Sequence, residues 1–122
     1  MNALRILIIE DDAVIGMHLA ELLEAMGHDV YAIEATETEA VRAANKSKPD
    51  LMIVDAMLQE GSGMSAVETI CRGGYVPHLF ISGDVLKIKT LLPSAVVVQK
   101  PFREADISRA IICVVIDKEG AP

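Results

Sequence analysis

The chain has 122 residues, 52% of them hydrophobic and 24% charged, which suits one folded domain and excludes disorder. Eleven Lys and Arg against eighteen Asp and Glu leave a net charge of −7, the wrong sign for meeting nucleic-acid phosphates. Two cysteines, Cys71 and Cys113, give no disulfide framework, and the longest apolar run, Ala110–Ile116, is far short of the ~20 residues a membrane span needs.

The N-terminus, Met1-Asn2-Ala3-Leu4-Arg5, leads into an apolar run without a cleavable signal pattern, so a soluble cytoplasmic domain is expected. Arg5–Ile9 reads as strand one. Ile15, Leu19, Leu22, Leu23 and Met26 then recur at helical spacing, and Gly27 ends that helix. Val30–Ile33 reads as strand two. Thr36-x-x-Glu39 is a capping box opening a helix that runs to about Lys46, before Pro49-Asp50 breaks the pattern. Leu51–Val54 is wholly apolar and predicts a central strand three. A loop with Gly61 and Gly63 leads to helix three, Met64–Arg72, closed by Gly73-Gly74. After Pro77, His78–Ile81 is strand four and Val85–Leu92 a short helix four. Val96–Gln99 is strand five, ended by Pro101. Asp106–Ile116 is helix five, apolar nearly all round, which predicts burial on more than one face or an exposed apolar patch. The polar tail 117–122 is expected to fray, leaving residues 4–116 as the core of a single domain spanning 1–122.

Strand–helix alternation repeated five times predicts an α/β fold, a doubly wound five-stranded parallel sheet with helices on both faces. With two Tyr, two Phe and no Trp, the core must be aliphatic. No glycine-rich phosphate loop follows strand one; Glu10-Asp11-Asp12 stands there and disfavours a dinucleotide.

In a parallel sheet the C-terminal strand ends share one edge, where ligand sites form. Strand one ends in Glu10-Asp11-Asp12, strand three in Asp55, strand four in Ser82 and strand five in Lys100. Close carboxylates repel by about 4 kcal/mol per pair at ~4 Å and an effective dielectric of 20. A divalent cation relieves this, and all-oxygen ligands without nearby His or Cys favour Mg²⁺ over zinc. A metal, a lysine and a hydroxyl converging on a carboxylate form a phosphoryl site, in which the carboxylate itself can be the nucleophile. Asp11 and Asp12 could also simply start helix one, where carboxylates favour the positive dipole end. His18, His28 and His78 are scattered and carry no role; Cys71 and Cys113 are read as small buried apolar residues.

The segments ILIIEDD, LMIVDAML, LFISGD and VVQKPF occur in this order over essentially the whole chain. With them the sequence resembles the receiver domains of bacterial two-component response regulators. The resemblance implies a flavodoxin-like (βα)5 fold with strand order 2-1-3-4-5. It implies Asp55 as the acceptor of a phosphoryl group from a sensor histidine kinase. Asp11 would bind Mg²⁺ directly and Glu10 through water, with Asp55 and the backbone carbonyl of Met57 completing the ligands. Ser82 and Lys100 would meet the phosphoryl group, and the Lys100–Pro101 bond would be cis. Met57 and Asp84, two residues after Asp55 and Ser82, match positions that tune water access, and Gly83 lies between switch and helix. Val97 stands where the family often has an aromatic switch residue. The short stretch from Ser82 to Lys100 implies a short helix four. Ser82-Gly83 is similar to alphaproteobacterial receivers found in general stress regulators.

The family's output surface implies that Leu86, Ile88, Leu91 and Leu92 of helix four and Ile112 and Ile116 of helix five meet a downstream protein or a second copy. The chain stops about one turn after helix five, so a stand-alone regulator is expected, working by protein contact, phosphorelay or as a phosphate sink. It would catalyse only its own phosphorylation and dephosphorylation. A pseudo-receiver that ignores phosphate is the alternative, disfavoured by the intact acid, Ser and Lys set. An aspartyl phosphohydrolase would carry Asp-x-Asp, whereas Asp55-x-Met57 lacks the second acid. A flavin carrier is disfavoured by the acidic first loop.

Overall fold

The computed structural model describes residues 2–120, with side chains described to Val115. In chain order the elements are β1 (Arg5–Ile9), α1 (Ala13–Ala25), β2 (Asp29–Glu34), α2 (Glu37–Lys46), β3 (Leu51–Asp55), α3 (Gly63–Arg72), β4 (His78–Ser82), α4 (Val85–Leu91), β5 (Val97–Gln99) and α5 (Glu104–Gly120). The five strands are parallel in the order β2-β1-β3-β4-β5. The predicted doubly wound flavodoxin-like architecture is therefore present. The boundaries shift slightly: α4 ends at Leu91, β5 begins at Val97, and α5 starts at Glu104. The backbone of residues 117–120, expected as a tail, continues α5; residues 121–122 lie outside the described residues.

Alternation along the strands builds two cores. Ile6, Ile8, Leu51, Ile53, Leu79 and Ile81 face one side with Leu19 and Leu23 of α1 and Ile107, Ile111 and Val114 of α5. Leu7, Ile9, Met52, Val54 and Phe80 face the other with Ala40 of α2, Ala66 and Ile70 of α3 and Ile88 of α4. Strands with both faces apolar are buried on both sides, which is why β3, fully buried along its length, is central. β2 is an outer strand, and its pairing with β1 slips a register between Ile6 and Leu7.

α5 settles into one buried stripe, Ile107, Ala110, Ile111, Val114 and Val115, at the spacing of one helix face. Ile112 and Cys113 point outward, so burial on more than one face is corrected to burial on one, with Ile112 exposed as the patch alternative has it, and Cys113 is an exposed thiol rather than a core residue. Cys71 is half-buried. Among the described residues no helix is long and apolar enough to cross a membrane.

Side chains cap four helix starts. Asp12 Oδ1 accepts from the N–H groups of Val14 and Ile15 (2.9 and 3.1 Å), the helix-start role read for it. Thr36 Oγ1 accepts from Glu39 N–H, while the Glu39 carboxylate pairs with Arg42. Ser62 caps α3 and Asp84 caps α4.

Gly63, the first residue of α3, lies against the end of β3. A Cβ there would run into the Asp55 carbonyl oxygen and sit 2.7 Å from Val54 Cγ1. Backbone cannot yield as a flexible side-chain tip can, so Gly63→Ala is expected to lower stability by about 1–3 kcal/mol. The urea midpoint reads this. Gly83→Ala, where a Cβ meets nothing within 4 Å, is the control and is expected to leave the midpoint in place.

Candidate functional site

Parallel pairing brings the polar strand ends level. Ile9 is opposite Val54, Asp55 opposite Ile81, and Ser82 opposite Gln99. Beyond the strands, Glu10 N–H donates to Glu34 O (2.9 Å), Ala56 N–H to Ile81 O (3.1 Å) and Lys100 N–H to Ser82 O (2.9 Å). These bonds carry Glu10, Asp55 and Lys100 into one pocket at the C-terminal edge.

The pocket is crowded with charge. Lys100 Nζ donates to Asp55 Oδ2 at 3.2 Å and forms an ion pair with Glu10 Oε1 at 3.1 Å. Asp55 Oδ1 accepts from Met57 N–H (3.0 Å), Glu10 Oε2 from Asp12 N–H (3.1 Å) and Asp11 Oδ2 from Gln59 N–H (2.7 Å). Glu10 and Asp55 are buried and Asp11 is half-buried. One carboxylate oxygen from each of the three lies within 4.8 Å of the others. Glu10 Oε1 is buried, and its ion pair with Lys100 is not aligned as a hydrogen bond. Three clustered carboxylates against one ammonium, with a buried oxygen short of a donor, resemble a metal-binding site for a hard cation.

Burial pushes the Glu10 carboxyl from 4.5 up to about 7; the neighbouring Asp55 adds to this, and Asp12 N–H and Lys100 oppose it. Burial alone would lower the Lys100 ammonium, but Glu10 and Asp55 outweigh it and hold Lys100 above its ordinary value.

Ser82 is buried at the same edge, and its Oγ accepts from Asp84 N–H at 3.0 Å. Asp84 is exposed, and its Oδ1 accepts from Lys87 N–H at the start of α4. Gly83 is exposed between them. The Met57 side chain is 53% exposed beside the pocket loop. Val97 is half-buried, level with Phe80, and packs into the α3–α4 side of the core. The Lys100–Pro101 peptide is cis. Of the helix-surface residues, Leu86, Leu91 and Ile112 are exposed and Leu92 is half-buried. Ile88 is 0% exposed: it turns under α4 into the core, so its place among surface residues is corrected. The Ile116 side chain lies outside the described residues.

Gln99, not singled out from the sequence, ties the edge together. Its Nε2 donates to Gly83 O (3.0 Å) and Lys100 O (2.9 Å), joining the loop after β4 to the end of β5. A polar residue closing an apolar strand was the available signal.

The raised Glu10 value carries a pH dependence. Below pH 4.5 Glu10 is protonated in both folded and unfolded chains. As pH rises toward 7 the unfolded chain ionises freely while the folded one resists, so Glu10 withdraws stability over that window. Metal-free protein is expected to lose on the order of 1–3 kcal/mol between those pH values relative to Glu10→Gln, read from paired urea titrations.

The model for the response regulator receiver domain matches residues 6–112. The chain is 39% identical over 113 residues to the phyllosphere-induced regulator PhyR of Methylorubrum extorquens, covering 89% of this chain and 42% of that protein. The solution NMR structure of the Erythrobacter litoralis PhyR response regulator REC domain superposes with a TM-score of 0.83 at 34% identity, covering 95% of this chain and 92% of that one. The crystal structure of the response regulator PhyR from Brucella abortus gives 0.90 at 30% identity, over 97% of this chain and 50% of that one. The chain spans about half the length of the curated relatives it matches. With the acidic cluster at the strand edge and this fold beneath it, the chain belongs to the response regulator receiver domain family and is closely related to the PhyR-type regulators.

Proposed function

We propose that the protein is a phosphoryl-accepting signalling switch, with Asp55 taking the phosphoryl group of a sensor histidine kinase. The observation that carries this reading is the setting of Asp55, whose two oxygens accept from Lys100 Nζ and Met57 N–H beside Glu10 and Asp11. A carboxylate oxygen of Asp55 attacks phosphorus as the P–N bond of the phosphohistidine breaks. The imidazole nitrogen takes the bonding pair and a proton, and the product is an aspartyl phosphate. Mg²⁺, held by Glu10, Asp11, Asp55 and the Met57 carbonyl, supplies charge neutralisation at the phosphoryl oxygens when bound. Lys100 offers its ammonium to a phosphoryl oxygen, and Glu10 keeps Lys100 charged. The same residues support slow hydrolysis of the acyl phosphate, so the chemistry is confined to the protein's own Asp55.

Phosphorylation adds about two negative charges at neutral pH. Ser82 Oγ accepts from Asp84 N–H and keeps its own proton to donate to a phosphoryl oxygen. As Ser82 turns toward that oxygen its bond to Asp84 shifts, and Asp84 caps α4, so the entry of α4 shifts with it. Val97 gives an aliphatic rather than an aromatic adjustment beneath α4. The exposed residues Leu86, Leu91 and Ile112 then present a changed surface of α4, β5 and α5 to a downstream protein or a second copy. A phosphorelay or phosphate-sink role uses the same transfer. The setting is cytoplasmic, where a histidine kinase keeps its phosphohistidine. A pseudo-receiver is the second reading, and the Lys100–Asp55 contact speaks against it, because a binding module has no use for a buried carboxylate aimed at an ammonium.

Intact-mass spectrometry after acetyl phosphate treatment tests the reading. A gain of ~80 Da that needs both Mg²⁺ and Asp55, and is absent in Asp55→Asn, is expected from acyl-phosphate chemistry. No gain with acetyl phosphate, nor with a histidine kinase, would place the protein among the pseudo-receivers. The exposed Met57 side chain shields the phosphoryl group from water, so Met57→Asn is expected to hydrolyse about two- to fivefold faster by the same assay, through easier positioning of the attacking water.

A further inference from the structure

Residues 56–62 link β3 to α3 and pass over the acid pocket. Two backbone N–H groups of this loop meet pocket carboxylates: Met57 at Asp55 Oδ1 and Gln59 at Asp11 Oδ2, the latter at 2.7 Å. The far end of the loop is held by a residue of another element. Glu37, in the first turn of α2, accepts from Ser62 N–H with Oε1 (3.0 Å) and from Ser65 Oγ with Oε2 (2.8 Å). Glu37 N–H donates to Glu60 O at 3.4 Å. Gly61, at φ +83°, lies so close that a Cβ there would sit 2.6 Å from Glu37 Cβ. The Ser65 hydroxyl and Ser62 N–H hold the Glu37 carboxyl below its ordinary value, so it is ionised at neutral pH.

An acid in the first turn of a helix ordinarily serves the helix dipole. Glu37 directs both oxygens instead to residues 25 and 28 positions away. Glu39, in the same turn, shows the ordinary case: its carboxylate pairs with exposed Arg42 three residues on.

We propose that Glu37 is a positioning residue for the acid pocket, anchoring the β3–α3 loop so that Gln59 N–H holds the Asp11 carboxylate ready for a divalent cation. The inference rests on the phosphoacceptor reading of the pocket. The Gln59 N–H bond to Asp11 Oδ2 fixes the orientation of the carboxylate before binding. Without the Glu37 carboxylate the far end of the loop loses its two short side-chain bonds and keeps the long backbone bond to Glu60 O and the Ser62 cap, so Asp11 is held less firmly before the cation arrives.

The test is calorimetric titration of the full chain with Mg²⁺, with amide hydrogen exchange as a second readout. Glu37→Ala is expected to weaken Mg²⁺ binding about tenfold and to speed exchange at Gln59 and Ser62. Glu37→Gln is expected to recover most of the affinity, because its carbonyl accepts from Ser62 and its NH₂ donates to Ser65 Oγ. Glu39→Ala is expected to match wild type. Should Glu37→Ala fail to fold, Ser65→Ala, which removes one of the two bonds, is expected to weaken binding about threefold. A folded Glu37→Ala or Ser65→Ala with wild-type Mg²⁺ affinity overturns the proposal, as does a Glu37→Gln no better than Ala. Absence of Mg²⁺ binding in the wild type would instead bring down the phosphoacceptor reading and this inference with it.

Discussion

The position of Lys100 Nζ, 3.1 Å from Glu10 Oε1 and 3.2 Å from Asp55 Oδ2, is the contact on which the rest of the site depends. Two buried carboxylates at the end of adjacent strands are unstable neighbours. One ammonium offsets part of that repulsion, while burial first and Asp55 second leave the Glu10 carboxyl raised, and the three clustered carboxylates resemble a site for a cation. The same residual charge makes the pocket resemble a site for a hard metal. Removing one charge from such a cluster leaves an uncompensated buried partner, so the pocket acts as a unit.

The sheet supplies the precision that this balance requires. Glu10, Asp55 and Lys100 each lie at or one step beyond a strand end, and the ladder bonds of Glu10, Ala56 and Lys100 carry the sheet's register into the loops. Beneath them the strands are apolar on both faces and buried by helices on both sides. The apolar packing thus stops at the pocket floor. Above it lie the Ser82–Asp84 turn, which caps α4, and the β3–α3 loop, held by Asp11 at one end and Glu37 at the other.

Much of this was legible in the sequence, for a physical reason. Period-two and period-3.6 apolar patterns are local, so all ten elements could be read, and parallel strands place their C-terminal ends together whatever the loops do. That rule brought Glu10, Asp11, Asp12, Asp55, Ser82 and Lys100 to one edge, and the family resemblance set Asp12 apart as a helix start. What escaped was set by tertiary contact. Ile88 and Leu86 both read as apolar residues of a short helix, and only the docking of α4 decides that one is core and the other exposed. Ile112 and Cys113 sit in an unbroken apolar run, and the rotation of α5 turns them to the surface. Glu37 looked like any acid opening a helix, because its partners lie on α3, and Gly63 looked like a loop glycine because its neighbour is the backbone of Asp55.

The charge balance is tested most directly by replacing the Lys100 ammonium. Lys100→Met keeps an unbranched chain of nearly the same length and removes the charge. Calorimetric Mg²⁺ titration of that variant is expected to show binding at least about fivefold tighter than wild type, since the carboxylates have lost their competing cation. The same sample is expected to lose most of its phosphoryl acceptance, since the group meeting the phosphoryl oxygen is gone. Mg²⁺ affinity and phosphoryl acceptance that both stay at wild-type levels would contradict the account.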